Sequence, residues 1–230
     1  MEELSILIPS RNNMKNIANL LKRIDSSNFT SKTEVIVVDD FSDDGSYEYL
    51  NTISKNFRFT LFVLRHNEFK GIGASIKTAI SFANGKYLII CDNNDEYLNE
   101  NLSSIYEKIS KGGADCVFGF NLNNSEKNFS SLLNRTLINI INFLYGSFYK
   151  NISYCYKAFK KDVIKSLKLH SDGIEIYFEM LSKIALNKYS FIEIPLNYNS
   201  DIDYNLSKIS FNTFVKSIFL IFKIRFFKVV

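Results

Sequence analysis

Apolar and polar positions alternate along the first half of the chain in two distinct periods. Short unbroken apolar runs of β type alternate with segments whose apolar residues recur every three or four positions, as on one face of a helix. Unbroken apolar runs are typical of strands buried on both faces of a sheet. The strict alternation of strand and helix therefore predicts a parallel α/β sheet of the nucleotide-binding type. The β-type runs lie at 4–8, 34–38, 59–64 and 86–91, and the helical segments at about 14–25, 46–55 and 70–83.

The second half of the chain has a longer and less regular pattern. A basic, apolar helix is predicted from residue 207 onward, after a polar connection at 197–205. No internal repeat is visible, and no linker separates two domains. We expect one α/β domain over residues 1–205, with helices flanking a mostly parallel sheet, and an amphipathic C-terminal helix over 206–230. The other predicted helices lie at about 102–109, 132–148, 161–167 and 174–186, and the other strands at 115–118 and 190–194.

The composition is that of an ordinary globular protein, since 46% of the 230 residues are hydrophobic and 23% are charged. The length suits one domain with a substantial core. The three cysteines, Cys91, Cys116 and Cys155, are far apart and show neither metal-ligand spacing nor a disulfide framework, which favours a reducing compartment. The Met1-Glu2-Glu3 start does not resemble a signal peptide. We expect a cytoplasmic protein.

Charge is unevenly distributed along the chain. The net charge is +4, yet the segment from Tyr204 onward carries five cations and no acid, so the remaining residues have a net charge of −1. This basic, apolar tail favours an anionic partner, and we expect contact with the cytoplasmic face of a membrane. Its cations argue against a spanning helix, while an interfacial helix and a helix packed on the body both remain open. Nucleic-acid binding is disfavoured, because the body does not interleave cations with exposed aromatic residues.

Acidic and amide side chains directly follow two of the predicted strands. Asp39 and Asp40 follow the second β-type run, and the polar segment 92–96 follows the fourth. In open parallel sheets, ligands bind beyond the carboxyl ends of the strands, so both groups belong to one candidate site. One cluster can accept hydrogen bonds from a base or ribose, while the other handles a metal ion and a diphosphate.

The second of these clusters has the donors of a metal site. The oxygens of Asp92, Asn94 and Glu96, at alternate positions, could share one divalent cation, which is the usual partner of a diphosphate. The alternative is a polar turn that caps the next helix, since Asn and Asp are common turn residues.

Two glycines, Gly71 and Gly73, open the helix between the two polar clusters. Glycines let the backbone approach a phosphate, and a helix N-terminus behind them favours an anion. The pair alone is weak evidence, because it also occurs in tight turns. A dinucleotide site is disfavoured, since Ile76 stands at the last position of Gly-x-Gly-x-x-Gly. His66 and His170 have no partner pattern and are expected to be structural or exposed.

Several segments together resemble family 2 glycosyltransferases, most closely the polyprenyl-phosphate glycosyltransferases such as dolichol-phosphate mannose synthase. The resemblance spans almost the whole chain, and the ordered set is specific although each piece is not. The segments that occur in the order seen in the family are 6–12 (ILIPSRN), 37–46 (VVDDFSDDGS), 70–74 (KGIGA) and 91–97 (CDNNDEY). The later segments that resemble the subgroup are 172–181 (DGIEIYFEML), 192–195 (IEIP) and 207–208 (SK).

The resemblance implies a GT-A fold, a nucleotide-sugar donor, Mg²⁺ or Mn²⁺ as cofactor, and transfer with inversion at the anomeric carbon. A metal ion would neutralise the charge that develops on the departing nucleoside diphosphate. The metal ligands that it implies are Asp92, Asn94 and Glu96. The donor-binding residues that it implies are Pro9, Arg11, Asp39, Asp40, Lys70, Gly71, Asp92 and Asn93.

The chain departs from the family pattern at the metal and acceptor positions. Asn94 replaces the second Asp of Asp-x-Asp, which keeps an oxygen donor but loses a charge, so the metal affinity should fall. Asn151 and Cys155 stand where the subgroup has Asp and Gly. Arg135 and Lys208 are the candidates for binding an acceptor phosphate, and the alternative is that both are ordinary surface cations.

The nature of the acceptor decides which further groups the reaction needs. A phosphate acceptor is already ionised, whereas a sugar hydroxyl needs a general base. Asp172 and Glu175 are the candidates for that base, unless Asp172 only caps the helix predicted from about residue 174. We expect an inverting glycosyltransferase acting on a polyprenyl phosphate or a lipid-linked glycan. The alternatives are the same fold acting on a soluble glycan hydroxyl, and a non-catalytic nucleotide-sugar-binding relative that has Asn94 in its metal motif.

Overall fold

The structure is a computed structural model that describes residues 3–27, 29, 32–91, 99–121, 129–150, 154–196 and 209–227. Strand and helix alternate along the first half of the chain, as the hydrophobic pattern predicts. The strands are β1 (Leu4–Ser10), β2 (Thr33–Asp39), β3 (Thr60–Arg65), β4 (Tyr87–Cys91), β5 (Cys116–Asn121), β6 (Tyr154–Lys160) and β7 (Phe191–Leu196). The helices are α1 (Met14–Ser26), α2 (Ser46–Ile53), α3 (Ile72–Phe82), α4 (Asn99–Lys111), α5 (Phe129–Tyr145), α6 (Lys161–Ser166), α7 (Ile176–Leu186) and α8 (Phe211–Phe227).

The described strands form one mixed sheet in the order β3-β2-β1-β4-β6-β5-β7. β1 pairs in parallel with both β2 and β4, and β2 pairs in parallel with β3. β6 is antiparallel to both of its neighbours, β4 and β5, and β7 is parallel to β5. The prediction of a mostly parallel sheet flanked by helices is confirmed.

Strand β6 has no counterpart in the hydrophobic pattern. Lys157 and Lys160 interrupt its short apolar sequence, which hides the β-type run. Lys157 is nevertheless buried, and its Nζ lies 4.2 Å from the centre of the Tyr177 ring. Because an aromatic face attracts a cation that has left water, a lysine is tolerated in the middle of this sheet.

Helices cover both faces of the sheet, which explains the unbroken apolar runs of its strands. Successive residues of a strand point to opposite faces. In β4, Leu88 and Ile90 contact the layer formed by α3, α5 and α7, whereas Ile89 and Cys91 contact the layer of α1 and α4. The C-terminal helix α8 packs outside the first layer, against α5 and α7.

Helix α5 ends at Tyr145, a few residues before the predicted boundary. Gly146 adopts a left-handed conformation with φ +66°, which a glycine takes without strain. The side chain of Asn142 then holds the chain that follows, because it donates to the carbonyl oxygen of Tyr149 and accepts from its N–H, both at 2.9 Å.

The strand order reverses at β1. The chain proceeds from β1 outward through β2 and β3, and then places β4 on the other side of β1. The carboxyl end of β1 therefore lies at a point where the strand order reverses. Such a switch point is the usual place for a ligand in an open α/β sheet.

The first turn of α3 packs directly against the backbone at 171–173. A Cβ added at Gly73 would lie 2.5 Å from the carbonyl oxygen of Ser171. At Gly71, which has φ +104°, a Cβ would lie 2.5 Å from the carbonyl oxygen of Asp172. Only glycine allows the two segments to approach this closely.

A buried ion pair on α7 holds the other side of the same segment. Glu179 accepts hydrogen bonds from the backbone N–H groups of His170 and Ser171, both at 2.9 Å, and lies 3.0 Å from Nζ of Lys183. Glu179 and Lys183 are 1% and 3% exposed. Burial raises the pKa of Glu179, but the hydrogen bonds from Ser171, and then those from Lys183 and His170, outweigh it and hold the pKa below its usual value of 4.5.

We predict that Gly73→Ala destabilises the fold. Alanine is the better helix former by about 1 kcal/mol, but its methyl group would collide with backbone carbonyl oxygens that cannot rotate away. The free energy of unfolding, measured by urea titration, should therefore fall by about 1–3 kcal/mol. Ser81→Ala, at an exposed position of the same helix, should change it by less than about 0.5 kcal/mol. A Gly73→Ala protein as stable as the wild type would contradict the close packing.

We predict that Glu179→Gln lowers stability most at neutral pH. The substitution leaves Lys183 charged and buried without a carboxylate, which costs about 3–5 kcal/mol at pH 7. Because the pKa of Glu179 is lower in the folded than in the unfolded state, its carboxylate contributes stability above the unfolded value, and this contribution is lost as the pH falls through the folded-state pKa. Denaturation at a series of pH values measures the free energy of unfolding. The difference in this free energy between the wild type and the variant should shrink as the pH falls below the usual pKa of 4.5.

The matched control is Glu107→Gln, which removes an exposed carboxylate paired with Lys111 and should leave stability nearly unchanged. If Glu179→Gln lowers the free energy of unfolding equally at neutral and acid pH, the loss of the ionised carboxylate is not the cause.

Candidate functional site

The candidate site contains a buried carboxylate, that of Asp40, which hydrogen bonds hold in one orientation. Asp40 follows β2 directly and is 3% exposed. Its Oδ1 accepts a hydrogen bond from the backbone N–H of Lys70 at 3.0 Å and lies 2.8 Å from Nδ1 of His66. Its Oδ2 accepts from the backbone N–H of Gly71 at 2.7 Å. Gly71 directly precedes α3, so the carboxylate lies at the positive end of that helix, held in one orientation by three donors.

A cavity of about 340 Å³ opens beside Asp40, at the carboxyl edge of β1 and β2. Its walls come from the end of β1, from residues between 69 and 75 around the start of α3, and from residues 173 and 174 before α7. Most of these groups are apolar, and Asp40 is a fixed hydrogen-bond acceptor among them. This arrangement suits a small, flat and partly polar ligand.

Arg11 and Phe69 form the solvent side of the cavity wall. The guanidinium carbon of Arg11 lies 3.8 Å from the centre of the Phe69 ring, which is a cation–π contact. Phe69 is 56% exposed. A planar group can stack on such a ring, and an anionic group can meet the adjacent cation. The structure thus brings four of the predicted donor-binding residues to one cavity: Pro9, Arg11, Asp40 and Gly71.

Asp39 lies on the opposite face of the sheet from Asp40. It is fully buried, accepts a hydrogen bond from the N–H of Ser42 at 3.1 Å, and lies 3.5 Å from Nε of Arg65. Among the described residues, those that line the cavity do not include Asp39. Adjacent residues of an extended chain point to opposite sides, so only one acid of the pair can reach the cavity. Asp39 instead holds the loop that follows β2.

Asp44, a later acid of the same motif, holds the starts of two helices. It accepts hydrogen bonds from the N–H of Met14, the first residue of α1, at 2.9 Å, and from the N–H of Ser46, the first residue of α2, at 3.0 Å. Burial raises the pKa of Asp44, but the hydrogen bonds from Ser46 and Met14 outweigh it and hold the pKa below its usual value. This carboxylate therefore belongs to the scaffold.

The backbone amides of the glycine loop are engaged by the protein itself. Those of Lys70 and Gly71 donate to Asp40, and that of Ala74 donates to the carbonyl oxygen of Asp172 at 3.1 Å. The expected cradle for a phosphate is occupied at these three amides by the protein's own acceptors. Gly71 still lines the cavity, and the side chain of Lys70 is exposed.

Asp172 and Glu175, the base candidates, flank the segment that closes the cavity. The carboxylate of Asp172 is 65% exposed and lies 2.6 Å from Nζ of Lys77. Helix α7 has Glu175 at its N-cap position and no side-chain cap, so Asp172 does not cap this helix. The carboxylate of Glu175 lies against Gly173, where a Cβ would collide with it, and Gly173 lines the cavity. Glu175 is thus in contact with the cavity wall.

The predicted metal ligands Asp92, Asn94 and Glu96, together with Asn93, lie outside the described residues. The last described residue before them, Cys91, ends β4 next to the switch point. Within the described part of the chain, no group of His, Cys, Asp and Glu side chains could hold a metal ion. The chemistry of the predicted donor set, two carboxylates and one amide oxygen, fits a hard divalent cation such as Mg²⁺ or Mn²⁺.

Of the two predicted acceptor-phosphate cations, the structure describes Arg135 alone. Arg135 lies on α5 and is exposed, and it is not among the described residues that line the cavity. Lys208 lies outside the described residues. Their part in binding an acceptor stays a prediction.

His66, which has no partner pattern in the sequence, proves to belong to the site through its contact with Asp40. A signal was present in the pairing of the strands. Asp40 directly follows β2 and His66 directly follows β3, and the preceding residues Asp39 and Arg65 are partners in the register of those strands. Residues that follow two paired parallel strands are neighbours at the same edge of the sheet. No comparable pattern in the sequence indicates that Phe69 lies at the cavity.

Two glycosyltransferases are among the relatives of this chain. The dolichol-phosphate mannosyltransferase of Pyrococcus furiosus is 26% identical over 204 residues, which is 85% of this chain and 56% of that protein. The GalNAc(5)-diNAcBac-PP-undecaprenol beta-1,3-glucosyltransferase of Campylobacter jejuni is 28% identical over 130 residues, which is 56% of this chain and 41% of that protein. The chain spans about half the length of these relatives.

A solved structure and a family model agree with this likeness. The crystal structure of glucosyl-3-phosphoglycerate synthase from Mycobacterium tuberculosis, in complex with Mg²⁺ and UDP, superposes with a TM-score of 0.75 at 14% identity, over 97% of this chain and 79% of that one. The shared fold is the GT-A fold that the sequence resemblance implies. Residues 5–190 match the model of Glycosyl transferase family 2. Because this match covers most of the chain, the chain belongs to glycosyl transferase family 2.

Proposed function

We propose that this chain transfers a sugar, with inversion, from a nucleotide-sugar donor to a polyprenyl phosphate or a lipid-linked glycan. The observation that carries the proposal is the buried carboxylate of Asp40, fixed by three donors beside a cavity of about 340 Å³ at the switch point of the sheet. Membership of glycosyl transferase family 2 supports the transfer of a sugar.

The cavity suits the nucleoside part of the donor. An ionised carboxylate only accepts hydrogen bonds, so Asp40 would meet an N–H group of the base or a hydroxyl of the ribose. Pro9 and Phe69 supply apolar surface for the base, and Arg11 supplies a cation on the solvent side. The mycobacterial neighbour is in complex with UDP, which supports a nucleotide as the ligand.

The residues for a divalent cation follow β4. Asp92, Asn94 and Glu96 would hold Mg²⁺ or Mn²⁺ through oxygen donors. When bound, the cation neutralises charge on the departing nucleoside diphosphate. Asn94 supplies a neutral oxygen where a carboxylate would be charged, so we expect weaker metal binding than with Asp at this position. The mycobacterial neighbour is in complex with Mg²⁺, which supports a divalent cation.

Inversion requires the acceptor oxygen to attack the anomeric carbon from the side opposite the diphosphate. The new carbon–oxygen bond forms as the bond to the diphosphate breaks. A phosphate acceptor brings an ionised oxygen and needs no base, whereas a glycan hydroxyl must lose its proton to one. Asp172 is engaged by Lys77, while Glu175 contacts the cavity wall at Gly173, which favours Glu175 as the base for a hydroxyl acceptor.

A lipid-linked acceptor is supported by the relatives. One is named for dolichol phosphate and the other for an undecaprenol-linked glycan. We assign the phosphate of such an acceptor to Arg135 and Lys208.

The C-terminal helix α8 is attached to the body by one face. Ser217, Ile221 and Ile224 are its buried residues. The Tyr145 hydroxyl at the end of α5 donates to the carbonyl oxygen of Ile221 at 2.8 Å, and Arg225 lies 5.7 Å from the centre of the Tyr145 ring. The helix therefore packs on the domain with a defined orientation.

The opposite face of α8 is apolar and exposed. Phe219, Phe222 and Phe226 follow one another at helical spacing and are 72%, 41% and 65% exposed. Lys216 and Lys223, also exposed, lie beside this stripe on the helix surface. Such a helix can place its aromatic rings among lipid chains and its cations among anionic headgroups.

We propose that this face of α8 rests on the cytoplasmic face of a membrane, whose leaflet is anionic. Within the described residues, no helix combines the length and the apolarity needed to cross a bilayer. A surface contact through α8 would bring the domain to the place where a lipid-linked acceptor is found.

We predict that the protein binds a nucleoside diphosphate and that Asp40→Asn weakens this binding by at least about tenfold, because an amide replaces a charged acceptor. The measurement is calorimetric titration with UDP, GDP, dTDP, CDP and ADP in the presence of Mg²⁺ or Mn²⁺. Asp43→Asn changes an exposed acid of the same motif away from the cavity, and this control should bind like the wild type.

Release of nucleoside diphosphate from the matching nucleotide sugar, with a polyprenyl phosphate as acceptor, then tests the transfer. Binding without turnover, on a polyprenyl phosphate and on glycan hydroxyls alike, would favour the non-catalytic relative. Turnover that requires a glycan hydroxyl and is lost in Glu175→Gln would favour the alternative acceptor. A wild-type protein that binds none of the nucleotides would overturn the proposed function.

We predict that replacing Phe219, Phe222 and Phe226 together by Ser lowers binding to anionic phospholipid vesicles by at least about tenfold, because the apolar surface that enters the bilayer is lost. Vesicle sedimentation at several salt concentrations measures this binding. Phe41→Ser removes an aromatic residue that is 48% exposed on the body and should not change it. Equal vesicle binding by the triple variant and the wild type would exclude this face of α8 as the contact.

A further inference from the structure

His66 links Asp40 to the middle of α3 through its imidazole ring. Nδ1 lies 2.8 Å from Oδ1 of Asp40, and Nε2 lies 3.0 Å from the hydroxyl of Thr78. The backbone N–H of His66 donates to the carbonyl oxygen of Asp39 at 3.0 Å, so the residue is also fixed through its main chain. His66 is 9% exposed and, among the described residues, is not one that lines the cavity. Within the described part of the chain, its contact with the cavity runs through Asp40.

The partners of the ring decide where its proton lies. An ionised carboxylate only accepts hydrogen bonds, so Nδ1 must carry the hydrogen that Asp40 receives. In the neutral ring, Nε2 is then an acceptor, and the hydroxyl of Thr78 donates to it. One tautomer therefore satisfies all three groups.

This arrangement also decides which oxygen of Asp40 is left for a ligand. Oδ1 receives two hydrogen bonds, from His66 and Lys70, whereas Oδ2 receives one, from Gly71. A carboxylate oxygen has two lone pairs, so Oδ2 keeps one for a further donor. Without the donor at Nδ1, Asp40 would be held only by the two backbone amides on one side and could turn away from the cavity.

We propose that His66 is a positioning residue for the donor nucleotide, which presents Oδ2 of Asp40 to the nucleoside. The inference rests on the proposed function, because it assigns the cavity to a nucleotide. His66 contributes through the hydrogen at Nδ1, and Thr78 contributes by fixing the tautomer and the orientation of the ring.

Two isosteric variants separate the two ring nitrogens. Asn at position 66 can place an amide nitrogen where Nδ1 lies, whereas Gln can place one where Nε2 lies. Calorimetric titration of His66→Asn and His66→Gln with UDP, GDP, dTDP, CDP and ADP, with Mg²⁺ present, measures the affinity. We expect His66→Gln to lose on the order of tenfold in affinity and His66→Asn to stay within about threefold of the wild type. With a nucleotide-sugar substrate, the KM of the donor should rise in His66→Gln while kcat changes little.

The Thr78→Val substitution, made in the wild type and in His66→Asn, gives a second test of the role of the ring. It should weaken nucleotide binding about threefold in the wild type and not at all in His66→Asn, whose shorter side chain does not reach Thr78. The unfolding temperature of each variant without nucleotide reports any general loss of structure. We expect no correlation between these temperatures and the nucleotide affinities.

The outcomes distinguish this inference from the proposed function. Equal affinities of the Asn and Gln variants, or losses that follow the unfolding temperature, would overturn the role of His66 while leaving the nucleotide site intact. A wild-type protein that binds none of the five nucleotides would overturn both.

Discussion

A single buried carboxylate connects the parts of the chain that build the site. A carboxylate can be buried only if hydrogen bonds replace the water that it loses, and the described hydrogen bonds to the carboxylate of Asp40 all come from residues between 66 and 71. This requirement ties the end of β2 to the segment after β3 and to the start of α3. The start of α3 in turn packs through Gly71 and Gly73 against the segment that closes the cavity. The position of the cavity wall therefore depends on the hydrogen bonding of Asp40 as much as on apolar packing.

Most of the sheet could be predicted because its strands are buried on both faces, which leaves unbroken apolar runs in the sequence. β6 could not, because Lys157 interrupts its run and is buried against the ring of Tyr177, a contact between residues distant in sequence. The alternation of strand and helix predicted the parallel pairing of β1 to β4, and the acids after β2 indicated the edge at which the cavity lies.

Within the site, the sequence predicted that the end of β2 and the glycines at the start of α3 belong together, but not which side chains face the cavity. Asp39 and Asp40 are adjacent acids with the same chemistry, and only the direction of each side chain at the end of β2 separates them. The glycines were expected to let the backbone approach a phosphate, and the group that they contact is the protein backbone at 171–173. For α8, the basic and apolar composition left open whether the helix packs on the body. The structure attaches one face to α5 and α7 and exposes the aromatic face, a division that depends on the helix rotation.

The antiparallel strand β6 also affects how the sequence can change in evolution. Its residue Tyr156 pairs with Cys91, so β4 ends and β6 begins at the same edge of the sheet. Most of the described residues that line the cavity come before residue 92, and Gly173 and Ile174 come from the later half of the chain. The two halves of the chain meet chiefly along the pairing of β4 with β6 and at the contact of Gly71 and Gly73 with 171–173. If the cavity binds the donor nucleotide, as we propose, substitutions in the later half can suit a new acceptor while the earlier half, and with it the choice of nucleotide, is inherited unchanged.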